Sequence, residues 1–382
     1  MNFSPLQAHT FLHPHQHRPT QPGLLAQTLH RWGLVCLLIC WTVGLGLASP
    51  AWSLPQGDAI RDSRSLLRRA LPLTESTLVE LDQAVVSLEK DFKYNHWSAI
   101  RGNINKVEQR LAREEQKLLK QMDPDAQARA TAAAADMRGH LEVMAEAAQL
   151  KTRGKAELRQ AFEDALIELE RFERNWVGAF PYDVPAEYAN LPQLLGRADV
   201  ELETTKGTMV ITLDGYSAPV TAGNFADLVQ KGFYNNIGLD RVEDFYLIQA
   251  GDPAGEADGY VDATTGKIRR IPMEIRIKGE ISPFYGDTLS NLGYWNADPV
   301  LPFSAPGAVA MAPYPEDPNS ASSQFFIFIA EPDLTPAGLN LMDGRYAVFG
   351  YVTEGLEVMY NLKPDDRILS AHLVSGTEYL KA

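Results

Sequence analysis

The side chains that most often carry chemistry are sparse in this 382-residue chain or stand in unhelpful company. Both cysteines, Cys36 and Cys40, precede residue 53, so a product cleaved there has no thiol for nucleophilic attack, disulfide pairing or zinc-thiolate binding. His13-Pro14-His15-Gln16-His17 offers metal donors but has no structured framework around it. Asp258 and Asp262, in the stretch GEADGYVDATTG, lack the alternating acidic order of a calcium loop and read as a turn. No metal or cofactor site follows from these patterns. Arg241 is different in kind, because a guanidinium stays charged at any physiological pH and presents a rigid fork of donors. Its neighbours Asp240, Glu243 and Asp244 nevertheless suggest, taken alone, an ordinary surface ion pair. The balance of 35 basic and 49 acidic residues, net −14, argues against nucleic acid or anionic membrane surfaces as partners.

Residues 1–53 hold two basic and no acidic residues and five of the eight histidines. Within them Gly33 to Ala48 is an apolar run behind Arg31, and Ala51-Trp52-Ser53 has small residues where a signal peptidase cuts. This predicts a secretory signal with a polar lead, exported by a Sec-type route. The run is short for a bilayer span and holds three glycines, so no stable membrane anchor is expected after cleavage.

The elements that must position any site divide the rest in two. Residues 54–190 carry 20 basic and 23 acidic residues, and 191–382 carry 13 and 26. The first part has helical stripes: Leu78, Leu81, Val85, Leu88 and Phe92; then Trp97, Ile100, Ile104, Val107, Leu111 and Leu118; then Leu158, Phe162, Ala165, Leu169, Phe172 and Trp176. Between the last two, Pro124 to Leu150 is alanine-rich with Pro124 set for a helix start. Thr77 with Glu80 fits a capping box, and Leu73 to Ser76 is the alternative entry. An all-α bundle over 54–190 is predicted. After the breaks at Pro181, Pro185 and Pro192 the period falls to two. Val200, Leu202 and Thr204 alternate, Lys206-Gly207 turns, and Met209, Ile211 and Leu213 alternate again, which is a β-hairpin. Pro219 opens a short helix, and strand patterns follow at 246–250, 268–277, 325–329, 347–352 and 368–374, suggesting an antiparallel barrel or sandwich over 191–382.

Three segments of this second part carry a resemblance. Asp240 to Asp252 resembles the cyclophilin signature in which an Arg is followed eight positions later by Gln and then Gly-Asp; Ser323-Gln324-Phe325-Phe326-Ile327 is similar to its second signature and Asp343 to Gly350 to its third. The motifs fall in the family's order across 199 to about 376. The fold class implied is α + β multidomain, an N-terminal helical bundle followed by a cyclophilin-like antiparallel β-barrel with short helices. A signal peptide, helical domain and C-terminal cyclophilin together resemble the multidomain cyclophilins of the thylakoid lumen in chloroplasts and cyanobacteria. That likeness implies a lumenal or periplasmic peptidyl-prolyl isomerase that helps assemble photosystem II and acts on proline-containing protein segments, with no cofactor.

The resemblance assigns roles. Arg241 would donate to the prolyl nitrogen as the amide twists, and Gln249, taken to lie farther along the same strand and on the same face, would orient Arg241 and the substrate carbonyl. Phe326, with Leu247 and Met342, would grip the proline ring. Ala312 and Gln324 would line the groove for preceding residues, and Tyr246, Leu341 and Tyr346 complete the substrate-binding set. Adjacent strand residues Phe325 and Phe326 must face opposite ways, one to core and one to pocket.

The departures from the family bear on activity. Tyr246 stands where Phe is usual, and its hydroxyl needs a partner if buried. Pro313 replaces an Asn and has no N–H for a bound peptide. Leu341 and Tyr346 replace the usual Trp and His, which predicts weak or no cyclosporin binding and a low isomerase activity. The long connection between Asp252 and Met311 is expected to contact a partner or to form a lid beside the active groove. Two other readings are a catalytically weak scaffold that binds partners through its helical domain and an isomerase whose bundle covers its own groove.

Overall fold

The computed structural model describes residues 62–73, 75–330 and 340–382. The signal-peptide expectation and the histidine cluster lie outside them. Five helices come first: α1 (Ser63–Ala70), α2 (Ser76–Lys93), α3 (Trp97–Leu119), α4 (Pro124–Gln149) and α5 (Lys155–Val177). The three apolar stripes are the buried faces of α2, α3 and α5, and with Met137, Leu141 and Met144 of α4 they form one continuous core. The first residue of the second stripe, Trp97, and the last of the third, Trp176, pack at its edge. Asp123 caps α4 by accepting from the backbone N–H groups of Asp125 (3.1 Å) and Ala126 (2.9 Å), with Pro124 in the first turn. The Thr77–Glu80 capping box does not form. Helix α2 begins two residues earlier, with Glu75 as its N-cap and Ser76, from the alternative entry, as its first residue, and the Thr77 hydroxyl donates to the Glu75 carboxylate instead.

The second part is a closed eight-stranded antiparallel barrel. Its strands are β2 (Arg197–Thr204), β3 (Gly207–Asp214), β4 (Ile237–Glu243), β5 (Leu247–Ala250), β8 (Ala308–Met311), β9 (Phe325–Phe328), β10 (Val348–Glu354) and β11 (Arg367–Ser375), in the circular order β10-β3-β2-β11-β4-β5-β9-β8. Short pairs β1 (Gln193–Leu194) with β12 (Leu380–Lys381), and β6 (Glu274–Ile275) with β7 (Phe284–Tyr285), lie outside it. Helices α6 (Pro219–Gln230) and α7 (Leu356–Asn361) pack their apolar residues into the barrel core. The long strand expected over 268–277 is reduced to β6 and isolated bridges.

Period-two alternation sorts β5, β8 and β9 into two faces. Ile248, Ala250, Val309, Met311, Phe325 and Ile327 point into the barrel, against Phe225 and Tyr234. Leu247, Ala308, Ala310, Phe326 and Phe328 point outward into a second cluster. Helix α1 belongs to that outer cluster. The sequence places this segment with the bundle, yet Leu66, Leu67 and Ala70 share their burial with Phe303, Phe326, Phe328 and Tyr351. The eight residues of α1 are too few to hold a helix alone, and packing on the barrel supplies what propensity does not.

Buried charge ties these parts together. The Arg197 guanidinium, on β2, is fully buried; Nε donates to Asp214 at the end of β3 (2.9 Å), Nη1 to Glu170 of α5 (2.8 Å) and Nη2 to the Leu67 carbonyl of α1. Arg276 reaches the Ala70 carbonyl in the same region, and Arg68 of α1 pairs with Asp82 of α2 at 2.5 Å.

Candidate active site

Arg241 and Gln249 face each other across two strands rather than lying on one. Tyr246 N–H closes on the Glu243 carbonyl (3.0 Å), and Phe245 adopts φ 61°, so the chain reverses between β4 and β5. Arg241 then pairs in register with Gln249. The sequence Asp244-Phe245-Tyr246 has no glycine or asparagine, which hid this turn: Phe245 takes the left-handed conformation at a cost that a bulky side chain rarely bears.

Beside these strands opens a groove of about 310 Å³. It gathers Arg241, Tyr246, Leu247, Gln249, Ala312, Gln324, Phe326, Met342 and Tyr346. Leu341 is the exception. Its side chain is 85% exposed and lines no part of the groove, because Met342, the next residue, is the one turned inward.

One end of the groove is an aromatic slot. Phe326 is nearly buried, stacks parallel on Phe303 with centroids 5.9 Å apart and takes the edge of Tyr346 at 5.3 Å. Leu247 and Met342 join it in the outer cluster, so helix α1 backs the same apolar mass that floors the slot. The Tyr246 ring is partly exposed and its hydroxyl meets the Met342 sulfur at 3.6 Å, a weak partner that water can supplement. Asp343 holds the neighbouring loop by accepting from the backbone N–H groups of Phe303 (2.8 Å) and Asn340 (3.2 Å). Burial pushes its carboxyl up to about 6 despite those bonds.

The other end is polar; of its residues the sequence named Gln249 and Gln324 for the site but not Asp258, Arg270, Tyr314 or Ser320. Gln249 Nε2 donates to Gln324 Oε1 (2.9 Å), and Gln324 Nε2 donates to Asp258 (2.6 Å), which also accepts from the Tyr314 hydroxyl. Arg270 lies over the Tyr314 ring at 4.9 Å and donates to the Ser320 carbonyl. Asp258 and Arg270 of the long connection, expected beside the groove, thus stand with Tyr314 and Ser320 in one of its walls. Pro313 sits in this wall, where it offers no N–H.

Arg241 itself is not held by Gln249. Its Nε donates to Glu243 at 2.9 Å and its Nη2 donates to the same carboxylate oxygen. The ion pair that charge spacing suggests is thus formed, and its cation is a lining residue of the groove. Among the described residues every side chain lining the groove comes from the barrel part, so the bundle does not cover it. The arrangement sets a charged donor beside an apolar slot of ring size, with amides along the floor: equipment for gripping a ring and meeting a polar atom next to it, without breaking a bond.

Comparison with known proteins agrees with that reading. Residues 199–372 match the family described as cyclophilin type peptidyl-prolyl cis-trans isomerase, and 62–177 match the peptidyl-prolyl cis-trans isomerase CYP38-like, PsbQ-like domain. The chain is 39% identical over 372 residues, 94% of its length, to 97% of a protein of Synechocystis named as a thylakoid lumen peptidyl-prolyl cis-trans isomerase. It is 35% identical over 335 residues, 85% of its length, to 76% of the chloroplastic peptidyl-prolyl cis-trans isomerase CYP38 of Arabidopsis thaliana. Among solved structures, a cyclophilin type isomerase of Cryptosporidium parvum crystallised with the dipeptide Ala-Pro aligns over 46% of this chain and 99% of its own, at 24% identity and a TM-score of 0.35.

Proposed function

Because the chain belongs to the cyclophilin-type peptidyl-prolyl cis-trans isomerases, in the form that joins the barrel to a PsbQ-like helical domain, we propose that it turns X-Pro bonds of exported proteins in the thylakoid lumen, with photosystem II subunits among its clients. Rotation about an X-Pro bond faces a barrier of about 18–20 kcal/mol from amide resonance. In the twisted state the prolyl nitrogen regains a lone pair, so a donor fixed beside it lowers the barrier without proton transfer. Arg241 is that donor. Phe326, Leu247 and Met342 hold the ring while the acyl side turns, and Gln249 and Gln324 meet carbonyl and N–H groups of the flanking peptide. The observation that carries this reading is the meeting of Arg241 and the Phe326 slot in one groove.

The lumenal location rests on the Synechocystis relative, and client choice by the bundle rests on the likeness to the PsbQ-like domain. The test uses the full chain, because an isolated barrel would uncover the surface on which α1 packs. NMR exchange on an uncharged X-Pro peptide should show acceleration by the wild type and loss of at least about tenfold in Arg241→Ala, with circular dichroism unchanged. A wild type no faster than buffer sinks the isomerase reading. A second reading then takes its place, a scaffold that holds X-Pro segments without turning them; Pro313, which withholds an N–H from the peptide, favours it.

A further inference from the structure

Three carboxylates surround Arg241, and the structure divides their duties. Asp240 accepts from the Asp252 backbone N–H (3.0 Å), and Asp244 pairs with Lys363 (3.0 Å). Only Glu243 meets the guanidinium. Residues 241 and 243 are two apart on β4 and therefore share a strand face, the one on which Arg241 lines the groove. Glu243 takes Nε and Nη2, one edge of the fork, with a single oxygen. Among the described residues no hydrogen bond or ion pair engages Nη1. Gln249, the cross-strand neighbour, is committed to Gln324, and the amide chain runs on to Asp258, away from Arg241.

We propose that Glu243 is the positioning residue of this site: it holds one edge of the Arg241 guanidinium and leaves Nη1 for the twisted prolyl amide. The inference rests on the isomerase reading above. A long side chain, 53% exposed, samples many rotamers when untethered, and each rotamer that points to water is lost to catalysis. Tethering by the Nε edge selects rotamers that keep the fork over the groove. The carboxylate makes no contact with substrate in this scheme and acts only through Arg241. Both partners are substantially exposed, so the tether is worth little to folding and its effect appears in turnover.

The experiment compares the full-length wild type with Glu243→Ala, Glu243→Gln, Arg241→Ala and the double Arg241→Ala/Glu243→Ala, by NMR exchange on an uncharged X-Pro peptide. Glu243→Ala should lower kcat about three- to tenfold with KM changed by less than about twofold. Glu243→Gln keeps an oxygen acceptor and should recover at least half of the wild-type kcat. The double variant should be no slower than Arg241→Ala alone, because a residue acting through Arg241 has nothing left to act on. The proposal is overturned if Glu243→Ala is as fast as the wild type or faster, if Glu243→Gln loses as much as Glu243→Ala, or if the double variant falls further. A wild type that fails to accelerate the peptide would instead remove the reading on which the proposal rests.

Discussion

Replacing Arg197 by methionine tests whether one buried guanidinium fastens bundle, α1 and barrel into a unit. Methionine approximates the volume of the arginine stem and removes every donor. Three acceptors then lose a partner, and they lose it unequally. Asp214 has a fully buried side chain and keeps only the Ser217 hydroxyl (2.6 Å), whereas Glu170 is 13% exposed and can turn toward water. In the wild type, burial alone would lower the Arg197 pKa, but Asp214 and Glu170 outweigh it and raise it, so the ion is well compensated. Breaking a buried pair from one side costs about 3–5 kcal/mol, chiefly through the charge left behind. We expect about 4 kcal/mol here, which for a cooperative unit of this size, at about 2.1 cal/mol/K of unfolding entropy per residue, lowers Tm by roughly 6 °C. Adding Asp214→Asn removes the stranded charge and should return about half. Because Glu170 and Leu67 belong to α5 and α1, scanning calorimetry of the single variant should also resolve two transitions where the wild type shows one. A loss below about 1 kcal/mol with a single transition would mean that apolar packing, not Arg197, joins the parts.

Two further predictions concern stability. Burial raises the Glu274 carboxyl to about 8, against the opposing backbone N–H of Thr221, which it accepts at 2.5 Å. The native acid therefore keeps its proton while the unfolded one, with its ordinary value of 4.5, gives it up. The contribution of Glu274 is fully present below about pH 4.5, is lost as pH rises to about 8 and is flat above. Glu274→Gln should match the wild type near pH 4.5 and exceed it in Tm at pH 8.5; parallel melting curves across that range would refute the assignment. Gly251 has φ +109°, and a Cβ there would stand 2.3 Å from the Ser323 carbonyl oxygen, a backbone atom that cannot swing aside. Gly251→Ala should cost about 2–4 kcal/mol and lower kcat by displacing Gln249 from Gln324. Denaturant melts and the peptide assay read both effects, and an active variant of wild-type stability would contradict the geometry.

What could be read in advance follows from how local each signal is. The stripe Leu78–Phe92 needs only helical periodicity to announce its buried face, and the alternation of Val200 and Leu202 with Met209 and Ile211 around Gly207 needs only a turn. Both are local, and both hold. The Phe325–Phe326 pair could be assigned to opposite faces for the same reason. The turn at Phe245 could not, since its left-handed residue is imposed by the closing barrel rather than preferred by phenylalanine, and overlooking it put Arg241 and Gln249 on one strand. The partner of Arg241 shows the limit most clearly. Resemblance named Gln249, whereas charge spacing named an acidic neighbour. The choice between them depends on Gln324 and Asp258, which come from two separate segments and draw Gln249 away through hydrogen bonds that leave no trace in the spacing around Arg241. Glu243 was visible as an ion-pair partner all along. Only the cross-strand register of β4 and β5 shows that the cation of that pair stands in the groove, beside Gln249.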